Sequence, residues 1–186
     1  MLFGVPAGLV FGEVEGDAVA EAYVLAPHEP VARVAEAPVS GGVVEGIFVA
    51  PTAEAPTSPL ESARAVAGRG LEGDRYFDGA GTFSVKGGTG REVTLADAAA
   101  LEAAGVGFGE ARRNVVVRGI DLDGLIGRRF RVGEVECVGR RRCEPCAHLQ
   151  RLTRPGVLRA LVHRGGLRAD VVSGGVVRVG DAVVAL

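Results

Sequence analysis

The residues of this chain best suited to chemistry are two cysteines, Cys143 and Cys146, which are separated by Glu144 and Pro145. A thiol is the strongest nucleophile and the softest metal ligand among the side chains. Three arginines, residues 140–142, come directly before the motif. Guanidinium charge next to a cysteine favours the thiolate, which attacks electrophiles, carries sulfur or binds a soft metal. The motif therefore predicts the reactive centre of the protein.

The residues alone leave four interpretations of the two cysteines. A zinc site needs two further ligands, for which His148 and His163 are candidates, but structural zinc sites more often pair two such cysteine motifs. Pro145 suggests a thioredoxin-like dithiol, yet that motif belongs to a βαβ setting that the pattern lacks. The third interpretation is a pair of small buried hydrophobic residues. A single functional thiol is favoured; position alone does not say which cysteine it is, and His148 is close enough in sequence to tune it.

Two glycine-containing segments are further candidates for anion binding. In Gly73-Asp74-Arg75, the guanidinium of Arg75 can donate two hydrogen bonds to a phosphate, although a surface turn is the simpler interpretation of the motif by itself. The segment Lys86-Gly87-Gly88-Thr89-Gly90 superficially resembles a phosphate loop, but it lacks the Gly-Lys-Ser/Thr order and a long following helix. We interpret the second segment as a loop without a phosphate role.

Length and cysteine content predict one cytoplasmic domain. The chain of 186 residues is long enough to bury a substantial core without disulfides. Its three cysteines are too few and too clustered for a secreted disulfide framework. The apolar N-terminus has no basic residue before Glu13, and no apolar run is long enough to span a bilayer. We therefore expect neither a signal peptide nor a membrane partner.

Charge is distributed unevenly along the chain. Residues 1–63 contain nine acidic residues and one arginine, whereas residues 64–186 contain 19 arginines and one lysine against 14 acidic residues, a net charge of +6. The basic part suggests an anionic ligand or partner. The chain has only nine aromatic residues and no strongly basic stripe, so it does not match a nucleic-acid-binding domain. Nucleic acid is not expected as a partner.

Most of the elements that must position the motif are predicted to be strands. Residues 1–41 are acidic and rich in proline, which predicts an arm or a few extra strands too small to bury their own core. From residue 42 onward, β-rich runs alternate with glycine turns. The predicted strands are residues 43–50, 114–118, 129–138, 169–173, 176–179 and 182–186.

Helix signals are few. One helix is predicted from Thr94 as N-cap to Gly105, with Asp97 in its first turn. A second begins at Pro155 and stops at Gly165-Gly166. Many short strands with tight glycine turns and little helix predict a mainly β protein, a barrel or sandwich capped by short helices.

Five motifs occur in a characteristic order within residues 42–186. They are Gly70-Leu71-Glu72-Gly73-Asp74-Arg75, Arg113-Asn114-Val115-Val116, Gly119-Ile120-Asp121-Leu122 with Leu125-Ile126-Gly127, Cys143-Glu144-Pro145-Cys146, and Gly174-Gly175-Val176-Val177-Arg178-Val179-Gly180-Asp181. In this order they resemble the MOSC domains, a family named after the C-terminal domain of molybdenum-cofactor sulfurase.

The resemblance implies a fold and a set of site residues. Residues 42–186 are expected to form a closed, mostly antiparallel β-barrel with a couple of short helices and one essential cysteine near the barrel mouth. By match to the Pro-Cys or Arg-Cys position of the family, that cysteine is Cys146, as molybdenum ligand and catalytic residue. The candidate contacts to the molybdenum cofactor are Arg75, Asn114, Arg142 and Cys143.

The resemblance also implies a function. In relatives such as the mitochondrial amidoxime-reducing component, the equivalent thiolate ligates molybdenum in a pterin cofactor, and N-hydroxylated small molecules are reduced. An external electron donor is expected here, because the sequence has no flavin, nicotinamide or iron-sulfur signature. The alternative is a sulfur carrier that holds a persulfide on Cys146, takes sulfur from a donor protein and has no reductase activity. A purely structural or regulatory barrel is a third interpretation, and a homodimer would suit a small barrel with an extra arm.

Overall fold

The computed structural model describes residues 41–84 and 88–186. These ranges contain eleven strands and three short helices. The strands are β1 Gly42–Val49, β2 Ser58–Leu60, β3 Ser62–Val66, β4 Gly70–Leu71, β5 Val93–Asp97, β6 Val115–Arg118, β7 Arg129–Val132, β8 Val135–Arg142, β9 Leu167–Ser173, β10 Gly175–Arg178 and β11 Ala182–Ala185. The helices are α1 Ala98–Ala103, α2 Ala147–Leu152 and α3 Val157–Ala160, and a 3-10 turn covers Asp123–Leu125.

Seven of the described strands close into a barrel. Their order is β1-β6-β5-β9-β8-β7-β11, and β11 returns to β1 with Gly42 opposite Val183. Strands β5 and β6 are parallel, so they need a crossover connection, and α1 lies in it. The other neighbours around the barrel are antiparallel. The predicted closed, mostly antiparallel barrel is confirmed.

Two smaller groups of strands flank the barrel. Strand β2 pairs with β1 beyond the barrel wall, and β10, β3 and β4 form a separate antiparallel sheet. None of β2, β3 and β4 was predicted from the sequence. They are two to five residues long, too short to produce a clear alternating pattern.

The central strands β5 and β6 are buried on both faces. Val115 and Val117 of β6 belong to the barrel core, whereas Val116 between them packs in a second core outside the barrel. Leu95 and Ala96 of β5 divide in the same way. Successive side chains of a strand point to opposite faces, and a strand covered on both faces is a continuous apolar run. This explains why β6 begins with three consecutive valines.

The three helices supply the second core. Leu101 of α1, Leu149 of α2 and Val157 of α3 are buried against the outer faces of β5 and β6. Because α2 begins directly after Cys146, its packing fixes the end of the cysteine motif against the barrel wall.

The start of α1 differs from the prediction. The prediction that Thr94 is the N-cap was wrong, because Thr94 lies within β5 and its hydroxyl hydrogen-bonds to Oδ1 of Asn114 at 2.9 Å. The N-cap is Asp97, whose carboxylate accepts the N–H of Ala99 at 3.2 Å. Strand pairing in the barrel therefore outweighs the local capping signal that assigned Thr94 to the helix.

Two further boundaries also differ. The single strand predicted for residues 129–138 is a hairpin of β7 and β8, which turns at Gly133 with a φ of +56°. The helix predicted from Pro155 is α3, which begins two residues later, at Val157. Helix α2 was not predicted, because six residues are too few to show a helical period.

Some predictions concern residues outside the described ranges. The N-terminal arm of residues 1–41 is outside them except for Gly41, and so are Lys86 and Gly87 of the glycine-rich loop. The described end of that loop is held in place, since the N–H of Gly90 donates to Asp170 Oδ1 at 2.5 Å. No helix within residues 41–84 or 88–186 is long and apolar enough to cross a membrane.

The third cysteine, Cys137, predicts a pH dependence of stability. Burial in the barrel core raises the pKa of its thiol from 9.0 to about 12. The unfolded chain loses the thiol proton of Cys137 at a lower pH than the folded protein does. The neutral buried thiol therefore makes its full contribution to stability below pH 9, and that contribution falls as pH rises towards about 12. We expect the free energy of unfolding of the wild type, relative to Cys137→Ala, to fall by up to about 1.4 kcal/mol per pH unit in this window. Urea denaturation of both proteins from neutral pH to about pH 11 measures it, and parallel curves would contradict it.

Candidate functional site

The two cysteines of the motif differ in exposure. Cys146 is exposed, has an extended backbone with φ −139° and ψ 167°, and directly precedes α2. Its carbonyl accepts the N–H of Gln150 at 3.1 Å. Cys143 follows the end of β8 and is only 1% exposed. The motif therefore joins a barrel strand to a helix and presents one thiol to solvent.

Backbone contacts hold the motif against the loop that precedes β9. The N–H of Cys143 donates to the carbonyl of Gly166 at 2.6 Å. The Arg113 guanidinium donates from Nη2 to the carbonyl of Cys143 at 3.1 Å and from Nε to the carbonyl of Gly165 at 2.8 Å. A Cβ at Gly165 would lie 2.3 Å from the Cys143 oxygen. Only glycine allows this close approach.

Glu144 connects the same two segments through its side chain. Its carboxylate accepts the N–H of His163 at 2.9 Å and lies 3.2 Å from the Nδ1 atom of that residue. The hydrogen bond from the His163 N–H is the main cause that lowers the pKa of Glu144. His163 has a left-handed φ of +61°, a strained conformation that these contacts support.

Cys146 lies at a small pocket with a volume of about 50 Å³. Cys143 is also part of its lining. Elements that are far apart in sequence contribute four arginines to the same lining. They are Arg75, Arg112, Arg113 and Arg168.

Carboxylates balance only part of the charge of this pocket, since Glu144 lines it beside the four arginines. Arg75 pairs with the buried Asp74 at 3.1 Å. Arg112 and the buried Arg113, by contrast, donate to backbone carbonyls among the described residues and to no carboxylate there. Burial, together with the charge of Arg75, lowers the pKa of Arg112. Carbonyl oxygens satisfy guanidinium donors without cancelling their charge, so the pocket attracts anions.

Aromatic side chains form another part of the wall. The rings of Phe83 and His148 meet edge to face with centroids 6.4 Å apart. The Arg75 guanidinium lies 5.1 Å from the centroid of the Tyr76 ring. All four residues line the pocket, so it offers apolar faces beside its cationic groups. His148, predicted to tune the thiol, shares the pocket with Cys146.

The four predicted cofactor contacts differ in whether they line the pocket. Arg75 and Cys143 line the pocket. Asn114 is buried, and its Oδ1 accepts the N–H of Thr94 at 3.1 Å and the hydroxyl of Thr94 at 2.9 Å. Asn114 thus organises the junction of β5 and β6 and lies outside the lining. Arg142 also lies outside it and forms two hydrogen bonds with Asp123, at 2.7 and 2.9 Å.

The arginine run before the motif does not line the pocket. These three residues end β8, and successive side chains of a strand point to opposite faces of the sheet. Arg140 pairs with Asp170 at 2.7 Å, and Arg141 donates to the carbonyl of Thr89 at 2.7 Å. The pocket arginines 112, 113 and 168 were missed as site residues. For one of them, Arg113, the sequence did contain a signal, because this residue directly precedes Asn114 in one of the five motifs.

Among the residues that the structure describes, the donors around Cys146 do not form a zinc site. Within the described part of the chain, no three His, Cys, Asp or Glu side chains are grouped so that they could hold a metal ion. His163, one of the predicted zinc ligands, is hydrogen-bonded to Glu144. The one exposed thiol of this pocket, Cys146, could instead ligate a metal that carries its own anionic ligand.

A larger cavity, of about 400 Å³, borders the same Glu144–His163 contact. Its lining includes His163, three aspartates and small apolar side chains of α1, but no cysteine. We place the candidate site at the smaller pocket, because that pocket contains the exposed thiol of Cys146 and an excess of arginines over carboxylates.

A comparison with family models identifies the family of the chain. Residues 92–184, half of the chain, match the model of the MOSC domain. The chain belongs to the MOSC domain family. The match includes the cysteine motif and most of the barrel strands, so the resemblance read from the five motifs is confirmed. No curated protein matches the sequence at a significant level.

Solved structures share the fold of this MOSC domain at low sequence identity. The YuaD protein from Bacillus subtilis is 19% identical, with a TM-score of 0.63, over 77% of this chain and 94% of that chain. YiiM from Geobacillus stearothermophilus is 15% identical, with a TM-score of 0.59, over 78% and 75% of the two chains. YiiM from Escherichia coli is 16% identical, with a TM-score of 0.57, over 78% and 69%. At these identities the likeness concerns the fold alone.

Arg113 should hold the cysteine motif of this MOSC domain in place. Arg113→Met leaves buried carbonyls without their donor, so we expect a loss of at least about 2 kcal/mol in the free energy of unfolding. We also expect faster alkylation of Cys143 by iodoacetamide, because the loop that buries it loosens. The matched control is Arg159→Met, at an exposed position of α3. Equal behaviour of the two variants in denaturation and in peptide-resolved alkylation would contradict this role.

Proposed function

We propose that this MOSC-domain protein binds the molybdenum cofactor through the Cys146 thiolate and reduces N-hydroxylated small molecules, with electrons from an external donor protein. The observation that carries the proposal is the exposed thiol of Cys146 in a pocket lined by four arginines. Family membership supports it, because MOSC domains are associated with proteins of the molybdenum cofactor.

The charge of the pocket supports an anionic occupant. Arg75, Arg112 and Arg168 line it and would neutralise anionic groups of the cofactor. Arg113 would act indirectly, since its donors are committed to backbone carbonyls that hold the cysteine motif. When bound, the molybdenum centre supplies the two-electron redox chemistry.

The remaining candidate contacts take lesser roles in this proposal. Asn114 would organise the β5–β6 junction from its buried position. Arg142 would reach a ligand only by leaving Asp123. Tyr76 and Phe83 would offer flat apolar faces to the planar part of a bound molecule. The pocket volume of about 50 Å³ holds only a few atoms, so a larger cofactor would extend onto the open surface.

Metal content tests the proposed ligand. Molybdenum and zinc are measured in the wild type, Cys146→Ser and Cys137→Ala, each purified from a host that makes the cofactor. We expect molybdenum in the wild type and in Cys137→Ala, whose substituted residue lies in the barrel core, and its loss from Cys146→Ser. Molybdenum absent from the wild type, or retained by Cys146→Ser, overturns the assignment of the ligand.

Turnover tests the proposed reaction. Protein loaded with molybdenum is assayed with an artificial electron donor on a panel of hydroxylamines, amidoximes and N-hydroxylated bases. We expect reduction by the wild type and none by Cys146→Ser. A loaded wild type that reduces no member of the panel contradicts the reductase function while leaving cofactor binding in place.

A sulfur carrier is the second candidate function, and the small pocket volume favours it. A persulfide adds a single atom to Cys146, which a space of about 50 Å³ accommodates without any opening. The surrounding arginines would stabilise its negative charge. This candidate needs an external protein that donates sulfur.

Intact-mass measurement distinguishes the second candidate. The wild type, Cys143→Ser and Cys146→Ser are incubated with a cysteine desulfurase and cysteine. A sulfur carrier gains one sulfur atom at Cys146, most stably in Cys143→Ser, where no neighbouring thiol can displace it; reductant removes it. Cys146→Ser should gain none. Absence of the added sulfur from both proteins that retain Cys146 discards the candidate.

A further inference from the structure

One contact at the pocket of Cys146 has no part in the functions proposed above. His148 lines this pocket, and its Nδ1 atom lies 3.0 Å from Nη2 of Arg151. The two residues are three positions apart in α2, so their side chains lie on one face of the helix. Arg151 is therefore placed to act on the imidazole ring of His148.

The contact with Arg151 fixes the direction of a hydrogen bond. A guanidinium donates hydrogen bonds and accepts none, so Nδ1 of His148 is the acceptor. In a neutral imidazole, one ring nitrogen accepts while the other carries the proton. The proton of His148 is consequently on Nε2. His163 shows the opposite case, because its Nδ1 lies 3.2 Å from Oε1 of Glu144, an acceptor.

Glu54 holds Arg151 in the position that this contact needs. Its Oε1 atom accepts a hydrogen bond from the same Nη2 atom of Arg151 at 2.6 Å. The Nη2 group can donate to Glu54 and to His148 at once. The hydrogen bond from Arg151 is the main cause that lowers the pKa of Glu54, so this carboxylate stays an acceptor at neutral pH.

The other nitrogen of the ring is available to a ligand. Nε2 of His148 hydrogen-bonds to no residue that the structure describes, and it is not one of the buried donors without a partner. Within the described ranges, this atom is thus open to solvent or to a bound molecule. The ring of Phe83, which packs edge to face against the imidazole, limits the rotation of His148. The pocket therefore has one oriented N–H donor in addition to its guanidinium charges.

We propose that His148 donates a hydrogen bond from Nε2 to an anionic oxygen bound beside Cys146, and that Arg151 and Glu54 are positioning residues that keep the proton on Nε2. This role rests on the anionic occupant of the proposed function. It adds a geometric requirement to an electrostatic one. The guanidinium charges attract any anion, whereas an oriented N–H group favours an occupant with an acceptor atom at one point.

Inorganic phosphate, a small oxyanion, tests the donor. The full-length chain is purified from a host that does not make the cofactor, and binding is measured as protection of Cys146 in peptide-resolved alkylation by iodoacetamide. The variants are His148→Gln, whose amide nitrogen falls near the position of Nε2, His148→Asn, whose amide nitrogen falls near Nδ1, and His148→Leu. We expect phosphate affinity within about threefold of the wild type for His148→Gln, and at least about tenfold weaker for the other two.

Two results overturn the donor role. If His148→Asn or His148→Leu binds phosphate as well as His148→Gln does, the N–H group at Nε2 is not required. If phosphate does not protect Cys146 of the wild type, no oxyanion binds beside the thiol. Circular dichroism checks that each variant folds. The assay needs no molybdenum, so its failure and the failure of the proposed cofactor function are distinguishable.

The position of the proton tests the positioning residues without any substitution of His148. Long-range proton–nitrogen NMR spectra distinguish an imidazole protonated on Nε2 from one protonated on Nδ1, and the chain has only three histidines. At about pH 8, where an ordinary histidine is neutral, we expect His148 to carry its proton on Nε2 in the wild type. Arg151→Lys, which keeps a cationic donor, should give the same spectrum.

Removal of the donor at position 151 should release the ring. We expect Arg151→Met and Glu54→Ala to show a mixture of the two His148 tautomers and to bind phosphate about threefold or more weakly than the wild type. The matched control is Arg159→Met, which loses the same charge at an exposed position of α3 and should behave as the wild type. A wild-type His148 protonated on Nδ1, or Arg151→Met with unchanged tautomer and affinity, contradicts the positioning role.

Discussion

The buried guanidinium of Arg113 is the group on which the site depends most. Its hydrogen bonds to the carbonyls of Ala111, Cys143 and Gly165 join the segment before β6, the cysteine motif and the loop before β9. A buried charge is tolerated where its donors are satisfied. Because carbonyls satisfy them here, the positive charge remains available to the pocket. One side chain thus both holds the backbone of the motif and contributes to the electrostatic field at the thiol.

The two-sided burial of β5 and β6 supports this arrangement. The barrel core covers one face of these strands, and a layer of short helices covers the other. Helices of four to six residues are not stable by themselves, so packing against the barrel wall must hold them. Leu149 makes that contact for α2. Cys146 consequently lies where the barrel meets the helical layer. Packing on both sides holds its backbone, while its thiol is exposed.

The proposed functions share one requirement, an accessible thiolate in a cationic pocket. Metal ligation and persulfide transport both use Cys146 in this way. They differ in the partner of the sulfur atom. Cys137 takes no part, because it lies in the barrel core with a raised pKa.

The sequence by itself determined the family, the mainly β fold and most of the barrel strands, and it predicted the reactive cysteine. Cysteine spacing and strand periodicity are local properties, so they can be read along the chain. Local signals failed where tertiary pairing competed with them. Thr94 is a good N-cap residue but belongs to β5, and α2 is too short to show a period.

Only the tertiary structure decided which charges surround Cys146. The nearest arginines in sequence, residues 140–142, end an extended strand and bind other partners. The pocket instead uses arginines at positions 75, 112, 113 and 168, which come together only when the barrel closes. The physical reason is that the electrostatic effect of a charge depends on its distance in space and on its burial. In a barrel built from non-local strand pairs, neither the distance nor the burial can be inferred from separation along the chain.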